Sequence, residues 1–491
     1  MVLINKAEQK SNLVGKIRKI FRSVVFPTIC IFYAFVGIRK YTEHLNISNE
    51  INSSNDQKID TLIDTDYEID CSIVQDENCE KKTSDMVPNL SQFSYSLFSV
   101  LAKSENNDTS NNVLISPFSI ASALSLVLSG ATKDSACQTE LLAALSISSP
   151  MDLPTLSSQI LGSSSKLQNS KDNDGVSFKS ANGIWVKDSI KPSFIKTAQE
   201  SHLATAAELP PTYDTIDAYI TEQTEGFISN MLEGPVDPLT QAVLVNAVHF
   251  KGKWQDQFKS KFTAEKSFYT MDGAKHKANF MFASREMDVA KDLEKLAGGS
   301  MVVLDYKTSV DPTEPIFRQV SPFRALFLLP AENTPDSMNA LLSSLESLGT
   351  KTTLDKSLQQ LMNQRLRYRK TELLLPRFKV SWGVESLKPH LIGLGMKTAF
   401  STEPMSNNRP KFDQMSDDPM LYIDDVLHKA VMEVTEEGTE AAAATTAIMM
   451  TRSISPPPLR VTFNRPFIMI VLHTETMTPL FMSRIDKPDF I

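Results

Sequence analysis

Residues 436 to 453 read Glu-Glu-Gly-Thr-Glu-Ala-Ala-Ala-Ala-Thr-Thr-Ala-Ile-Met-Met-Thr-Arg-Ser, and this run limits the fold more than any other part of the chain. Its alanines, bordered by threonines, offer no large side chain to anchor in a core, yet threonine and the following Ile448 suit an extended strand. Such a segment serves as an exposed loop and equally as a strand. In strand form Thr439, Ala441, Ala443, Thr445 and Ala447 share one face while Glu440 points to the other, because side chains alternate with period two. The first face is small and uncharged. That suits a segment which slides between two existing strands without burying bulk or charge.

Other segments complete a pattern in the same order along the chain. They are Asn112 to Leu124 (NVLISPFSIASAL), Asn246 to Trp254 (NAVHFKGKW), Leu375 to Ser381 (LPRFKVS), Leu394 to Phe400 (LGMKTAF), His428-Lys429-Ala430 and Phe463 to Phe467 (FNRPF). Together with the alanine run they make the chain resemble the serpins over roughly residues 86 to 491. The resemblance implies an α+β fold in which three β-sheets are surrounded by eight to nine helices, with an exposed reactive-centre loop. It makes Glu436, Glu437, Gly438, Thr439, Glu440, Ala441, Ala442, Ala443 and Ala444 the hinge of that loop. The scissile bond, counted along the family pattern, falls between Arg452 and Ser453. Arg452 is also the only basic residue from Ala430 to Leu459.

An arginine at that position suits a deep specificity pocket with a carboxylate at its base, so a trypsin-like serine protease is the implied partner, held in a covalent complex. The plainer alternative is an exposed loop that trypsin would nick anyway. The resemblance further implies a shutter of Ser116, Ser119, Asn246 and His428 under the central strands, with Trp254 at the breach where insertion starts. Ordinary core packing with satisfied polar groups is the alternative for these residues. Two positions depart from the family pattern, Ala218 where an aromatic is common and Ser483 where glycine is frequent. A non-inhibitory serpin, a carrier or chaperone, is the second function class, and the small hinge residues discriminate against it. Glycosaminoglycan activation in the family uses a basic helix near Leu153 to Lys171, but only Lys166 and Lys171 are basic there. Heparin control through that helix is not expected.

The chain has 491 residues, 41% of them hydrophobic, enough for a large core, and a net charge of −8 that gives no electrostatic case for nucleic acid. Residues 1–40 read as a signal peptide or a signal anchor. Lys6, Lys10, Lys16, Arg18, Lys19 and Arg22 precede an uncharged stretch from Ser23 to Ile38, shorter than the roughly 20 residues of a spanning helix. Either reading leaves the remainder outside the cytosol, and a cleaved signal makes it a secreted, extracellular protein. Asn46, Asn52, Asn89 and Asn107 begin glycosylation sequons. Residues 41–85 form an acidic extension expected to be disordered until something binds it. Within it Tyr67 stands among Asp64, Asp66, Glu68 and Asp70, similar to tyrosine sulfation sites and to the acidic tail of heparin cofactor, another serpin; a solubilising tail is the alternative.

Four cysteines do not make a disulfide scaffold. Cys71 and Cys79 are close enough to form a small loop, either could pair with Cys137 instead, and the bland reading of Cys137 is a buried free thiol. The sequence carries no GxSxG elbow, HExxH helix, Walker loop or GxGxxG fingerprint, and its histidines lack metal-ligand spacing. No catalytic residue, cofactor or metal is expected, and the molecule is read as a monomer. Among local elements, apolar spacing through Phe93, Leu97, Val100 and Leu101 predicts the first helix, and Ser116-Pro117 opens a second. A helical pattern runs from Ile216 to Leu232. Ala242 to Phe250, Ala325 to Leu329, Leu373 to Val380, Val461 to Thr462 and Phe467 to Leu472 read as strands.

Overall fold

The computed structural model describes residues 90–103, 112–168, 176–187, 189–307, 321–349, 367–403, 409–439, 457–487 and 489–491. Helix α1 (Ser91–Lys103) turns Phe93, Leu97 and Leu101 into the core, but Val100 is 40% exposed. A continuous apolar stripe therefore overstated the width of its buried face. After β1 (Val113–Ile115), α2 (Pro117–Gly130) begins at an N-cap where the Ser116 hydroxyl accepts from the Ser119 N–H, with proline in the first turn. This helix is buried nearly all round, as expected of one that touches β-structure on several sides.

Next come α3 (Ala136–Leu145), α4 (Asp152–Gln168), β2 (Ser177–Val186), α5 (Pro192–His202), β3 (Thr205–Glu208) and α6 (Asp214–Gln223). Helix α6 stops well short of Leu232. Glu225 and Gly226 both have positive φ, and the Asp217 carboxylate accepts from the N–H groups of Asn230, Met231 and Leu232, so the apolar residues beyond Gln223 pack from an irregular loop. Strand β4 (Ala242–Lys253) is buried without a break from Ala242 to Phe250. It is followed by β5 (Ala264–Tyr269), β6 (Lys275–Leu293), β7 (Gly299–Asp305), β8 (Phe323–Leu329) and α7 (Pro335–Gly349).

The run Leu373 to Val380 is two strands rather than one. β9 (Arg367–Pro376) and β10 (Phe378–Ser386) belong to different sheets, and the switch falls at Arg377. Pro376 has no N–H to continue a ladder, while the Arg377 N–H is taken by the Asn279 carbonyl at 2.7 Å. The chain closes with α8 (Lys388–Gly393), β11 (Asp425–Val434), the two-residue β12 (Gly438–Thr439), β13 (Leu459–Thr462), β14 (Phe467–His473) and β15 (Thr478–Ile485).

Among the described residues the strands form two hydrogen-bonded systems. One has the order β10-β11-β4-β2-β3, with β12 added on β4; the other runs β1-β15-β14-β8-β7-β6-β9-β13, with β5 on β6. The larger system joins two groups that the sequence reading counted separately. The 19-residue β6 pairs with β5 and β9 over its first part and with β7 near its end, so one strand is shared between them. Helix α2 contacts β2 and β4 of the smaller sheet and β15 of the larger. The functional residues lie along the β11–β4 seam of the smaller sheet, at its centre and at the β4 end.

Candidate functional site

β11 and β4 run parallel, and seven residue pairs join them from Asp425↔Val243 to Val431↔His249. This parallel seam is bounded on both sides by antiparallel partners, β10 against β11 and β2 against β4. At its centre His428 faces Asn246 in register. His428 Nδ1 donates to Asn246 Oδ1 at 2.6 Å and its Nε2 accepts from the Ser116 N–H at 3.3 Å, which defines one neutral tautomer. Asn246 Nδ2 donates in turn to Ser119 Oγ at 2.6 Å and to Asn182 Oδ1. Ser116 Oγ, freed from any role toward the imidazole, donates to the Leu480 carbonyl at 2.6 Å.

The structure thus brings Ser116, Ser119, Asn246 and His428 together. It adds Asn182 and Ser180, which sequence reasoning missed; Ser180 Oγ lies 3.1 Å from Ser119 Oγ and 3.3 Å from Asn182 Oδ1. Polar residues inside the otherwise strand-like Ser177 to Val186 were the available signal. The network ties α2 to three strands of the smaller sheet, β11, β4 and β2, and parting β11 from β4 breaks its His428–Asn246 link.

His428 is wholly buried, and burial pushes its pKa down to about 3. The imidazole is neutral in the fold but binds a proton near pH 6.5 once unfolded. Its contribution is therefore complete above about pH 6.5 and is lost progressively as pH falls toward 3. His202, half-buried, and His473, fully buried, are both lowered to about 4 by desolvation and act with the same sign. Melting temperature followed from pH 7.5 to 4.5 should fall for the parent and fall less steeply for His428→Gln. Parallel curves would remove His428 from the account.

Trp254 lies apart from this network, at the end of the seam. It stacks on Tyr306 with ring centroids 4.7 Å apart, and its indole N–H donates to the Thr435 carbonyl at 3.1 Å. Its backbone N–H donates to the Glu437 carbonyl at 2.8 Å. Chain direction reverses there in a tight turn, closed by Thr435 N–H and hydroxyl bonds to the Gly438 carbonyl at 2.8 and 3.0 Å. Glu436 is held inside the turn. Thr263 Oγ1 donates to its carboxylate at 2.6 Å, Arg377 Nε lies 3.3 Å from the other oxygen, and the Phe258 N–H donates to its carbonyl.

Gly438 and Thr439 then pair antiparallel with Lys253 and Gly252 at the end of β4. Gly438 has φ +146°, and a Cβ there would run into the Gly252 carbonyl and the Lys253 backbone, so only glycine fits this approach. Because β11 and β4 are parallel, a strand antiparallel to one is antiparallel to both. Continuing β12 along β4 would replace one parallel seam by two antiparallel ones.

Glu440, Ala441, Ala442, Ala443, Ala444, Arg452 and Ser453 lie outside the described residues, as do Asn46, Asn52, Asn89, Asn107, Tyr67, Cys71 and Cys79. Cys137 is a free thiol buried on α3, and burial followed by the nearby Glu140 carboxylate raises its pKa to about 12. Ser483, at the position where family members often have glycine, is fully buried and its hydroxyl donates to the Val113 carbonyl at 2.8 Å.

A family model described as serpin (serine protease inhibitor) matches residues 88–488. The chain belongs to the serpins. Serpin-Z2B of Triticum aestivum is 31% identical over 413 residues, which cover 81% of this chain and 95% of the relative. Serpin B8 of Homo sapiens is also 31% identical, over 81% of this serpin and 97% of its own length. The structure described as Arabidopsis AtSerpin1 in the native stressed conformation superposes with a TM-score of 0.65 at 26% identity, covering 82% of this chain and 98% of that one. Human thyroxine-binding globulin with bound thyroxine gives a TM-score of 0.66 at 21% identity over 83% and 99% of the two chains, a likeness of fold alone.

Proposed function

We propose that this serpin is a secreted suicide inhibitor of trypsin-like serine proteases, with Arg452-Ser453 as the reactive bond. One observation carries the reading: Gly438-Thr439 already lies antiparallel to β4, at the open end of a parallel seam and directly upstream of small residues. Among the relatives, the leukocyte elastase inhibitor of Bos taurus, 29% identical, bears an inhibitor's name. The non-inhibitory alternative is disfavoured by the alanine run.

The target's serine Oγ attacks the Arg452 carbonyl carbon, the Arg452–Ser453 bond breaks, and Ser453 leaves with the proton on its new amine, so that an ester joins the two proteins. The freed segment then inserts between β11 and β4, an instance of strand addition with release of stored strain. Glu436 to Arg452 spans about 55 Å when extended at roughly 3.3 Å per residue. The acylated protease is carried that far, its site is distorted, and deacylation fails. Capture is a race between insertion and hydrolysis.

The test begins with protein recovered from the culture medium, which examines secretion, and incubates it with trypsin. An SDS-stable adduct and a released C-terminal peptide starting at Ser453 are the expected result. A peptide starting at Met450 or Thr451 would move the bond and point to a different protease class, and absence of any adduct would leave a substrate or a non-inhibitory serpin.

A further inference from the structure

Phe262 ends a short helical turn at Ser260–Phe262 and is 49% exposed, one residue before the Thr263 that holds Glu436. Its ring meets Phe282 of β6 edge-on, with centroids 6.4 Å apart and planes at 87°. Phe282 is paired with Leu374 of β9, and Leu374 with Thr462 of β13, so these three form one row across the larger sheet, which Phe262 extends from the turn beside it. Phe282, Leu374 and Thr462 are each partly exposed, while their strand neighbours Met281, Ala283, Leu373, Leu375, Val461 and Phe463 are buried on the other face. One lysine and one ion pair border the row. Lys261 Nζ sits 5.1 Å from the Phe262 ring centroid, and Arg460 bonds Glu372 at 2.8 Å in the next row.

The position of this strip matters more than its composition. One end touches the turn from which the reactive segment departs at Thr439, and the other end is β13, to which the chain returns after Pro457. Arg452 is five residues from Pro457, a reach of at most about 17 Å at ~3.4 Å per residue. A protease domain of about 200 residues has a radius of gyration near 16 Å. Its body, once seated on Arg452, is of the same size as that reach, which brings the ground between the two ends of the loop within its range.

We infer that the strip Phe262–Phe282–Leu374–Thr462 is a second contact surface for the protease held at Arg452, selecting targets that carry an exposed apolar side chain beside their cleft. The inference rests on the reading of Arg452 as the reactive bond. A half-exposed aromatic with an apolar row beside it suits an anchor that is desolvated on docking. Its effect belongs to encounter and docking, not to the later insertion step, because no residue of the strip lies in the β11–β4 seam.

The experiment uses full-length protein and three arginine-cleaving proteases: trypsin, thrombin and plasmin. For each, the second-order rate constant of inhibition and the number of inhibitor molecules consumed per protease are measured for the parent, Phe262→Ser and Phe262→Glu. In the protease that the parent inhibits fastest, Phe262→Ser should lower the association rate about tenfold, and Phe262→Glu should lower it further, with cleavage still at Arg452 and unchanged consumption. Exposure of Phe262 keeps both variants folded, checked by an unaltered melting temperature. Equal rates for parent and variants with all three enzymes would overturn the inference. So would a change in consumption at constant association rate, which would make the strip a seat for the chain's own reactive segment. Lack of any adduct in the parent would instead bring down the reading of Arg452 itself.

Discussion

On the proposed mechanism Arg452→Ala should abolish the covalent complex with trypsin-like enzymes while leaving the melting temperature within about 1 °C of the parent. The specificity pocket of such a protease presents a buried carboxylate, and a site built to pair with a polar group rejects a partner lacking it by about 10⁴-fold. The association rate constant should drop by that order. The fold should not respond, since surface substitutions away from packed features usually stay within about 0.5 kcal/mol. The same variant should gain activity against elastase-like enzymes, whose pockets take small side chains. Undiminished trypsin inhibition by Arg452→Ala would show that the protease reads another bond.

Thr439→Arg should separate cleavage from capture. Position 439 shares its face with Ala441 and Ala443 by strand periodicity, and its backbone already pairs with Gly252. Seating the guanidinium on that face leaves a buried unpaired charge, which costs about 3–5 kcal/mol. At 1.36 kcal/mol per tenfold change, a penalty of about 3 kcal/mol slows insertion more than 100-fold. Acylation at Arg452 is untouched, so hydrolysis wins and the variant turns over as a substrate. Gel densitometry of adduct against cleaved product reads the partition directly. Adduct yield equal to the parent would sink insertion as the trapping step.

Much of this architecture was legible in the sequence where one physical cause dominated. Strand β4 could be read from a largely apolar run, interrupted only by Asn246 and His249, because both its faces are covered, and α2 from a serine cap followed by proline. The shutter residues could be named only through family resemblance, since hydrogen bonds such as that from Ser116 N–H to His428 join positions 312 residues apart. Asn182 and Ser180 left only a faint trace, as polar interruptions in a strand. The switch at Arg377 was hidden because apolar residues stand on both sides of it, and the shift of phase from Leu373 and Leu375 to Phe378 and Val380 is the only local trace; what divides the strands is a missing proline donor and a distant carbonyl. Thr263, which clasps Glu436 across 173 residues, has no local signature at all.

The parallel seam between β11 and β4 has a consequence for how such a molecule would behave in a fluid containing many proteases. A gap that accepts one antiparallel strand accepts it once, and the inserted segment has no second copy. On the proposed mechanism each molecule disables one protease and is consumed with it. Protection then depends on how many molecules are present rather than on how tightly each binds. Below that number proteolysis is extinguished, and above it the excess enzyme runs unopposed, so the concentration of this chain would set a sharp threshold between silence and activity.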